Sequence, residues 1–258
     1  MDPEAELDPR PDPLLGALAA LGGFFVLRTA VDLACEPPAG LPTLADVYDG
    51  TVSRGRGDCV TFRVRKVARS LGTRETRTAA SVAHLGLAAR LWSVALGCAA
   101  VYGRVPDLDP GRLRWDPDAS APDDLWLAGV RPLPGDAETV AAVVLDAHLA
   151  PLAALLRDRY RLASGLLWGN AASALTGAAR ELDRWAHAHG RPDVAARAGA
   201  LTRRLLAHPP LTGTGTLTGT AFRRRSCCLY YRAPGGGLCG DCCLTRAPSP
   251  KPRAPGTR

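Results

Sequence analysis

Cysteines crowd near the C-terminal end of the sequence, and this crowding constrains the fold more than any other feature. Five of the eight cysteines lie in the segment RRRSCCLYYRAPGGGLCGDCCL. Cys227, Cys228, Cys239 and Cys242 have the spacing C-C-x10-C-x2-C, and Cys243 is the fifth. The Pro and Gly residues between the two pairs favour a chain reversal that brings the pairs together. In a reducing compartment, such a group predicts a metal site before a disulfide framework.

The spacing favours an iron–sulfur cluster over zinc. Structural zinc sites usually pair two CxxC-type turns around one tetrahedral ion. The adjacent residues Cys227 and Cys228 suit a single ion badly, because neighbouring side chains in an extended chain point to opposite sides. A [2Fe–2S] cluster has two irons, and adjacent thiolates can each bind a different one. Zinc and other thiol chemistry remain the alternatives.

The chain is basic, with a formal net charge of +7. A basic balance favours anionic partners, such as nucleic acid or an acidic electron-donor protein. A coding bias towards Arg, Ala, Gly and Pro is the alternative explanation of the charge. Around the cysteines, Arg223, Arg224, Arg225 and Arg232 would stabilise an anionic cluster, although a solvated basic strand has the same composition. The sequence lacks a helix–turn–helix pattern, so no nucleic-acid partner is expected.

Upstream of the cysteine segment, hydrophobic periodicity predicts a mostly helical body. The predicted helices are residues 14–35, 74–102, 137–159, 161–189 and 193–208. The predicted short strands are residues 59–65, 113–115 and 125–127. The expected fold class is α+β, with a mostly α-helical body, a few short strands and a small C-terminal Fe–S module. The scattered cysteines are expected to be reduced core thiols; they are Cys35, Cys59 and Cys98.

Composition divides the chain into five segments. In order, these are a flexible N-terminus (1–12), a helical body (13–210), a Gly/Thr linker or loose strand (211–220), the cysteine module (221–245) and a disordered tail (246–258). Because the apolar helices lie upstream of the linker, the body is expected to fold without the cysteine module.

No membrane span is expected. The longest apolar run, Leu14 to Leu27, contains two adjacent glycines and is shorter than the ~20 residues that a bilayer requires. The preceding residues are acidic, whereas a signal peptide begins with basic residues. We therefore predict a buried helix there and a cytoplasmic protein.

At its cysteine segment, the chain resembles the FhuF-like ferric siderophore reductases. The blocks SVAHLGLAARLWSVALGCAAVYGRVPDLDPGRLRW and GLLWGNAASAL are similar to the family's body and occur in the same order. The resemblance implies a [2Fe–2S] cluster held by Cys227, Cys228, Cys239 and Cys242. In the family a Pro follows the last cysteine, whereas this chain has Cys243 there, and this departure bears on the identity of the fourth ligand.

The implied function is the release of iron from a siderophore by one-electron reduction. The expected substrate is a ferric hydroxamate-type siderophore, which the helical body (13–210) would bind. The electron would come from an external ferredoxin or reductase. No catalytic residue is expected beyond the cluster. Two other functions fit the sequence: an Fe–S or zinc regulator that binds nucleic acid, and a siderophore-binding protein with a structural cysteine module. Trp168, Gly169 and Asn170 also resemble the family, and Asn170 could hydrogen-bond a ligand. Core packing or helix capping explains them equally well, so they are not named as site residues.

Overall fold

The computed structural model describes residues 17–29, 39–50 and 58–248. The α-helices are α1 (Leu44–Tyr48), α2 (Cys59–Ser70), α3 (Thr76–Tyr102), α4 (Ala137–Ala141), α5 (Ala150–Tyr160), α6 (Ser164–Ala188) and α7 (Pro192–Leu206). A π-helical stretch, Ala142–Leu149, joins α4 to α5, and 3-10 turns occupy Ala17–Leu21 and Tyr230–Arg232. The strands are β1 (Arg28–Thr29), β2 (Arg104–Pro106), β3 (Leu113–Trp115), β4 (Leu125–Leu127), β5 (Pro132–Pro134), β6 (Gly215–Thr218) and β7 (Ala221–Arg224).

Helix α3 is the centre of the body. Its apolar residues do not form a single stripe, and side chains such as Leu91, Trp92 and Leu96 are fully buried. A helix that is apolar on all sides must be covered on all sides. Helix α6 packs along most of α3, while α2 and α7 cover other faces of it.

The strands form three small sheets. In the first, the order is β1-β4-β3, with β1 parallel and β3 antiparallel to β4. The others are the antiparallel pairs β2–β5 and β6–β7. The hairpin β6–β7 leads directly into the cysteine segment, and Phe222 on β7 is buried in the same core as α3 and α6.

The predicted α+β class is confirmed, and so are most of the predicted elements. The predicted helix 74–102 is the single helix α3, and residues 137–160 are helical throughout. The short strands at 113–115 and 125–127 are β3 and β4. Cys59 and Cys98 are buried thiols, as expected, whereas Cys35 lies outside the described residues.

The predicted strand at residues 59–65 is wrong, because these residues belong to α2. Asp58 caps the helix by accepting a hydrogen bond from the Val60 backbone N–H at 3.1 Å. The residues that suggested alternation, Val60 and Val64, are also four apart and share a buried helix face. Over so short a window, the two-residue period of a strand cannot be distinguished from the 3.6-residue period of an α-helix.

The predicted helix at 14–35 is also wrong where it is described. The chain forms a 3-10 turn, then a turn in which Gly22 has φ +98°, and then strand β1. The carbonyls of Phe24 and Val26 accept hydrogen bonds from the buried Arg90 side chain. This side chain therefore takes the place of the backbone N–H groups that would pair with these carbonyls in a helix. Residues 30–38, the predicted flexible start at 1–12 and most of the predicted tail lie outside the described residues.

The Gly/Thr segment 211–220 contains β6, which pairs with β7 of the predicted cysteine module. Backbone hydrogen bonds and core contacts therefore cross the predicted boundary between body and module. The division into separately folding parts remains a prediction, and so does the expected folding of the body without residues 221–258.

Two helical stretches, Thr76–Tyr102 and Ala137–Tyr160, are long and apolar enough to cross a bilayer by length and composition. Of their most apolar windows, 72% and 56% are buried within the fold, respectively. Core helices of soluble proteins pass the same test, so the two stretches are weak evidence for a membrane.

Candidate functional site

The cysteine segment folds back on itself at one end of α3 and α6. After β7 the chain passes Cys227 and Cys228, makes the 3-10 turn at Tyr230–Arg232 and reverses. The returning arm is held by a hydrogen bond from the Arg224 N–H to the Asp241 carbonyl at 3.0 Å. The reversal therefore brings the two halves of the cysteine motif side by side, as the Pro and Gly residues predicted.

The reversal depends on a close approach at Gly236. Its N–H donates to the Ala233 carbonyl at 2.8 Å. A Cβ at Gly236 would overlap the Tyr230 carbonyl oxygen and lie 2.9 Å from the Ala233 carbonyl oxygen. Both obstacles are backbone atoms, which cannot rotate away as a side chain can. At the neighbouring Gly237, a Cβ would meet nothing within 4 Å.

We expect Gly236→Ala to lower the iron bound per chain, because the added methyl group pushes apart the two arms that carry the cysteines. The matched control is Gly237→Ala, which adds the same methyl group one residue later and should retain the iron of the unmodified protein. Iron and acid-labile sulfide per chain, measured after anaerobic purification, compare the two variants. Equal iron in both would mean that the turn does not determine the cysteine geometry.

All four predicted ligands lie near one another, together with Cys243. The Cys228 and Cys239 thiols are hydrogen-bonded to each other, and Cys227 is in electrostatic contact with Cys228, Cys242 and Cys243. None of these cysteines forms a disulfide. Among the residues that the structure describes, no three His, Cys, Asp or Glu side chains are grouped as ligands of one metal ion.

Backbone N–H groups point at two of the sulfurs in the same way. The Leu229 N–H donates to Cys227 Sγ at 3.3 Å, and the Leu244 N–H donates to Cys242 Sγ at 3.4 Å. In both cases the donor follows the cysteine by two residues. Hydrogen bonds of this kind favour thiolate over thiol and stabilise the negative charge of an iron–sulfur site.

The thiols in contact differ in how readily they ionise. The hydrogen bond from Cys239 lowers the pKa of Cys228 to about 6. The same hydrogen bond, followed by burial, raises the pKa of Cys239. At neutral pH the pair therefore favours one thiolate and one thiol, and the thiolate is the form that binds metal.

Buried polar residues of the body support the cysteine segment. The Ser81 hydroxyl on α3 donates to the Cys228 carbonyl at 2.8 Å. The Asn170 amide on α6 donates to the Ser81 carbonyl at 2.9 Å and accepts from the Arg224 guanidinium at 2.6 Å. Ser81, Asn170 and Arg224 are all buried. Sequence reasoning missed Ser81 and did not name Asn170 as a site residue, although an Asn inside an apolar helical run was a usable signal.

Helix α6 admits the cysteine segment because it presents a glycine there. A Cβ at Gly169 would overlap the Ser226 hydroxyl and lie 3.2 Å from the Arg224 guanidinium. Ser226 instead donates to the Gly165 carbonyl at 2.6 Å, one turn earlier on the same helix. Gly169 therefore has a structural role beside the cysteines.

Asp241 anchors the returning arm to α6. Its buried carboxylate forms an ion pair with Arg180 at 3.1 Å and accepts a hydrogen bond from the Ser173 hydroxyl. Both partners lie on the α6 face that also borders a cavity. Asp241, one of the two residues between Cys239 and Cys242, is thus a main tether of the motif. Sequence reasoning did not identify it.

A cavity of about 490 Å³ opens beside Cys239. Its lining comes from α3, α6, the segment 21–25, Arg224 on β7 and residues 239–241 of the cysteine segment. Its apolar lining includes Leu21, Phe24, Phe25, Leu85, Ala89 and Ala174. Phe24 stands at its rim with 47% of its surface exposed. An apolar cavity with a few polar groups is the usual form of a small-molecule site.

The donor set fits a [2Fe–2S] cluster. The four thiols are in electrostatic contact with one another, two of them receive backbone N–H groups, and the buried cation Arg224 acts on Cys228 and Cys239. Each feature stabilises an anionic group that bears sulfur ligands. Cys243 lies close enough to Cys227 to interact with it, and only its carbonyl has a hydrogen-bond partner, Arg223 at 3.5 Å.

Comparison with known proteins supports the same cofactor. Residues 224–244 match a family model described as the FhuF 2Fe-2S C-terminal domain. The matched range contains all five clustered cysteines and Arg224. No curated protein matches the chain. The match thus lies on the cysteine segment, while the helical body carries the cavity.

Proposed function

Because the chain is a FhuF-like 2Fe–2S protein, we propose that it is a cytoplasmic ferric siderophore reductase. The observation that carries the proposal is the cavity beside Cys239, which offers a chelate a place within short reach of the cysteine site. The proposed cluster ligands are Cys227, Cys228, Cys239 and Cys242. The proposed electron source is an external ferredoxin or reductase.

When bound, a [2Fe–2S] cluster supplies electrons one at a time. The protein's own contribution is to hold the chelate in the cavity and to exclude water with its apolar walls. One electron converts the chelated Fe3+ to Fe2+, and no bond of the siderophore is broken. Hard oxygen donors hold Fe2+ far more weakly than Fe3+, so the iron is released. Neither a nucleophile nor a general base is needed.

The charges around the cavity favour a neutral chelate. Arg180 is neutralised by Asp241 at 3.1 Å, and Glu181 is paired with Arg184. A ferric tris-hydroxamate core carries no net charge, whereas a ferric tris-catecholate core is strongly anionic. Moving an anion into an apolar cavity costs free energy unless a cation is available to pair with it. Arg224 also lines the cavity and has no ion pair among the described residues, but we assign its charge to the anionic cluster, which leaves it unavailable to an anionic chelate. Hydroxamate-type siderophores are therefore the proposed substrates.

We expect the dithionite-reduced protein to transfer one electron per cluster to a ferric hydroxamate siderophore, which should emerge intact. Anaerobic stopped-flow would follow cluster reoxidation against loss of the ferric-siderophore absorption band. Each ~59 mV of unfavourable potential difference costs tenfold in a one-electron equilibrium. An Fe2+ chelator should therefore raise the yield more than the initial rate, because it removes the product.

A cavity-filling variant connects this reaction to the cavity. Gly177 lines the cavity, and a Cβ there would meet only the end of Arg180 at 3.8 Å, so Gly177→Leu fills space without a backbone clash. We expect it to keep the cluster and lose most of the reduction rate. Gly86→Leu is the control, since Gly86 is on α3 with no atom within 4 Å of its Cβ position and does not line the cavity. A reduced cluster that persists with every ferric siderophore tested would overturn the reductase proposal.

A further inference from the structure

Arg224 is the middle residue of three consecutive arginines, Arg223–Arg225. Strand β7 alternates between exposed and buried residues, so Arg223 and Arg225 face solvent while Arg224 faces inward. Only 2% of Arg224 is exposed. The sequence run therefore contains two solvated arginines and one that is taken out of water.

Arg224 is incompletely paired for a buried cation. One guanidinium nitrogen, Nη2, donates to Asn170 Oδ1 at 2.6 Å and weakly to the Leu166 carbonyl at 3.4 Å. The other two nitrogens, Nε and Nη1, have no hydrogen-bond partner among the described residues, and none of the described carboxylates forms an ion pair with Arg224. Burying an unpaired charge is costly, so this arrangement calls for an anion.

Arg90, which is also deeply buried, shows what full pairing looks like. Arg90 pairs its Nε with the Asp124 carboxylate at 2.8 Å, and its remaining nitrogens donate to backbone carbonyls. Arg90 therefore has an anion and acceptors for each nitrogen, whereas Arg224 has an amide oxygen and one distant carbonyl. The two arginines are buried to almost the same extent, so the difference in their pairing comes from the groups that surround them.

Arg224 lies beside the predicted cluster ligands on both arms of the motif. It precedes Cys227 by three residues, its backbone N–H donates to the carbonyl of Asp241 at 3.0 Å, and it lines the same cavity as Cys239. His84 on α3 is also near Arg224, and burial together with this positive charge lowers the pKa of His84, which keeps its imidazole neutral. A four-thiolate [2Fe–2S] cluster is anionic and gains a further negative charge when it is reduced. A nearby fixed cation stabilises the reduced form more than the oxidised form.

We infer that the buried and incompletely paired Arg224 raises the reduction potential of the cluster that the adjacent cysteines would hold. The inference rests on the proposed function only for the presence of the cluster. Arg224 is then a tuning residue, held by Asn170 of α6, that makes the cluster easier to reduce by its donor. The body helix α6 thereby takes part in setting the redox chemistry of the cysteine segment.

The test is the midpoint potential of Arg224→Gln, measured by anaerobic spectroelectrochemical titration with iron and sulfide content as a second readout. We expect the ratio of reduced to oxidised cluster at a fixed poise to fall at least tenfold, which corresponds to about 59 mV for one electron. The shift should persist at high salt, because a buried charge is poorly screened. Arg224→Lys keeps the charge and should stay closer to the unmodified protein.

Arg225→Gln is the matched control, since it removes the same charge from the exposed neighbour and should leave the ratio nearly unchanged. If Arg224→Gln loses its cluster while Arg224→Lys retains it near the original potential, the charge is still identified as the required feature. The inference is overturned if loaded Arg224→Gln keeps the original potential. It is also overturned if Arg224→Gln and Arg224→Lys lose the cluster to the same extent, because Arg224 would then have only a structural role. Absence of any cluster from the unmodified protein would instead refute the proposed function.

Discussion

Replacing Cys227, Cys228, Cys239 or Cys242 with Ser is expected to remove most of the cluster iron, whereas Cys243→Ser should retain most of it. Thiolate is a much better iron ligand than a hydroxyl group, and a cluster that lacks one ligand dissociates from the protein more readily. The Leu244 N–H bond to Cys242 Sγ supports the choice of Cys242 over its neighbour. The largest effect is expected at Cys228, which is buried and whose carbonyl is fixed by Ser81.

The measurement is iron and acid-labile sulfide per chain, together with the visible spectrum of the anaerobically purified protein. Cys243→Ser is the internal control, because it removes a thiol from the same segment. If Cys243→Ser lost the iron and Cys242→Ser kept it, the fourth ligand would be Cys243. A colourless protein that contained zinc in place of about two irons per chain would contradict the cluster itself.

A second large effect is expected at the buried ion pair of Arg90 and Asp124. We expect Arg90→Met to lower the free energy of unfolding by about 3–5 kcal/mol, because it leaves a buried carboxylate without its partner. The side chains are only 2% and 4% exposed, respectively. Urea denaturation followed by circular dichroism measures the change.

The adjacent pair of Arg28 and Asp123 is the matched control. It has the same 2.8 Å separation, but its side chains are 32% and 56% exposed. Arg28→Met should therefore cost less than about 1 kcal/mol. Similar losses in both variants would mean that the burial of Arg90 is not what makes its ion pair important.

Arg90→Met should also change the shape of the cavity. Arg90 donates to the carbonyls of Phe24 and Val26, and Phe24 forms part of the cavity wall. At a temperature where Arg90→Met remains folded, we expect weaker binding of the ferric chelate with the cluster iron retained. Unchanged chelate binding would place the substrate elsewhere.

Local patterns in the sequence were sufficient for several features. The C-C-x10-C-x2-C spacing identified the thiols that the fold brings together, because a short Gly-rich reversal connects them. The long apolar blocks predicted α3 and α6, since helices of that length show their periodicity repeatedly. The same reasoning failed at residues 59–65, where only a few apolar residues fit two periods, and at residues 22–29, where Arg90 accounts for part of the backbone hydrogen bonding.

By itself, the sequence determined the cofactor class and the helical nature of the body, because each depends on residues close together in the chain, and it predicted the four ligands. Only the tertiary structure showed that Ser81 supports Cys228 from 147 residues away, that Asn170 holds Arg224, and that a cavity opens beside Cys239. The physical reason is that burial and hydrogen-bond pairing are properties of packed elements. Three consecutive arginines read alike in the sequence, and only the packing of β7 against α6 makes Arg224 a buried cation that lacks an anion.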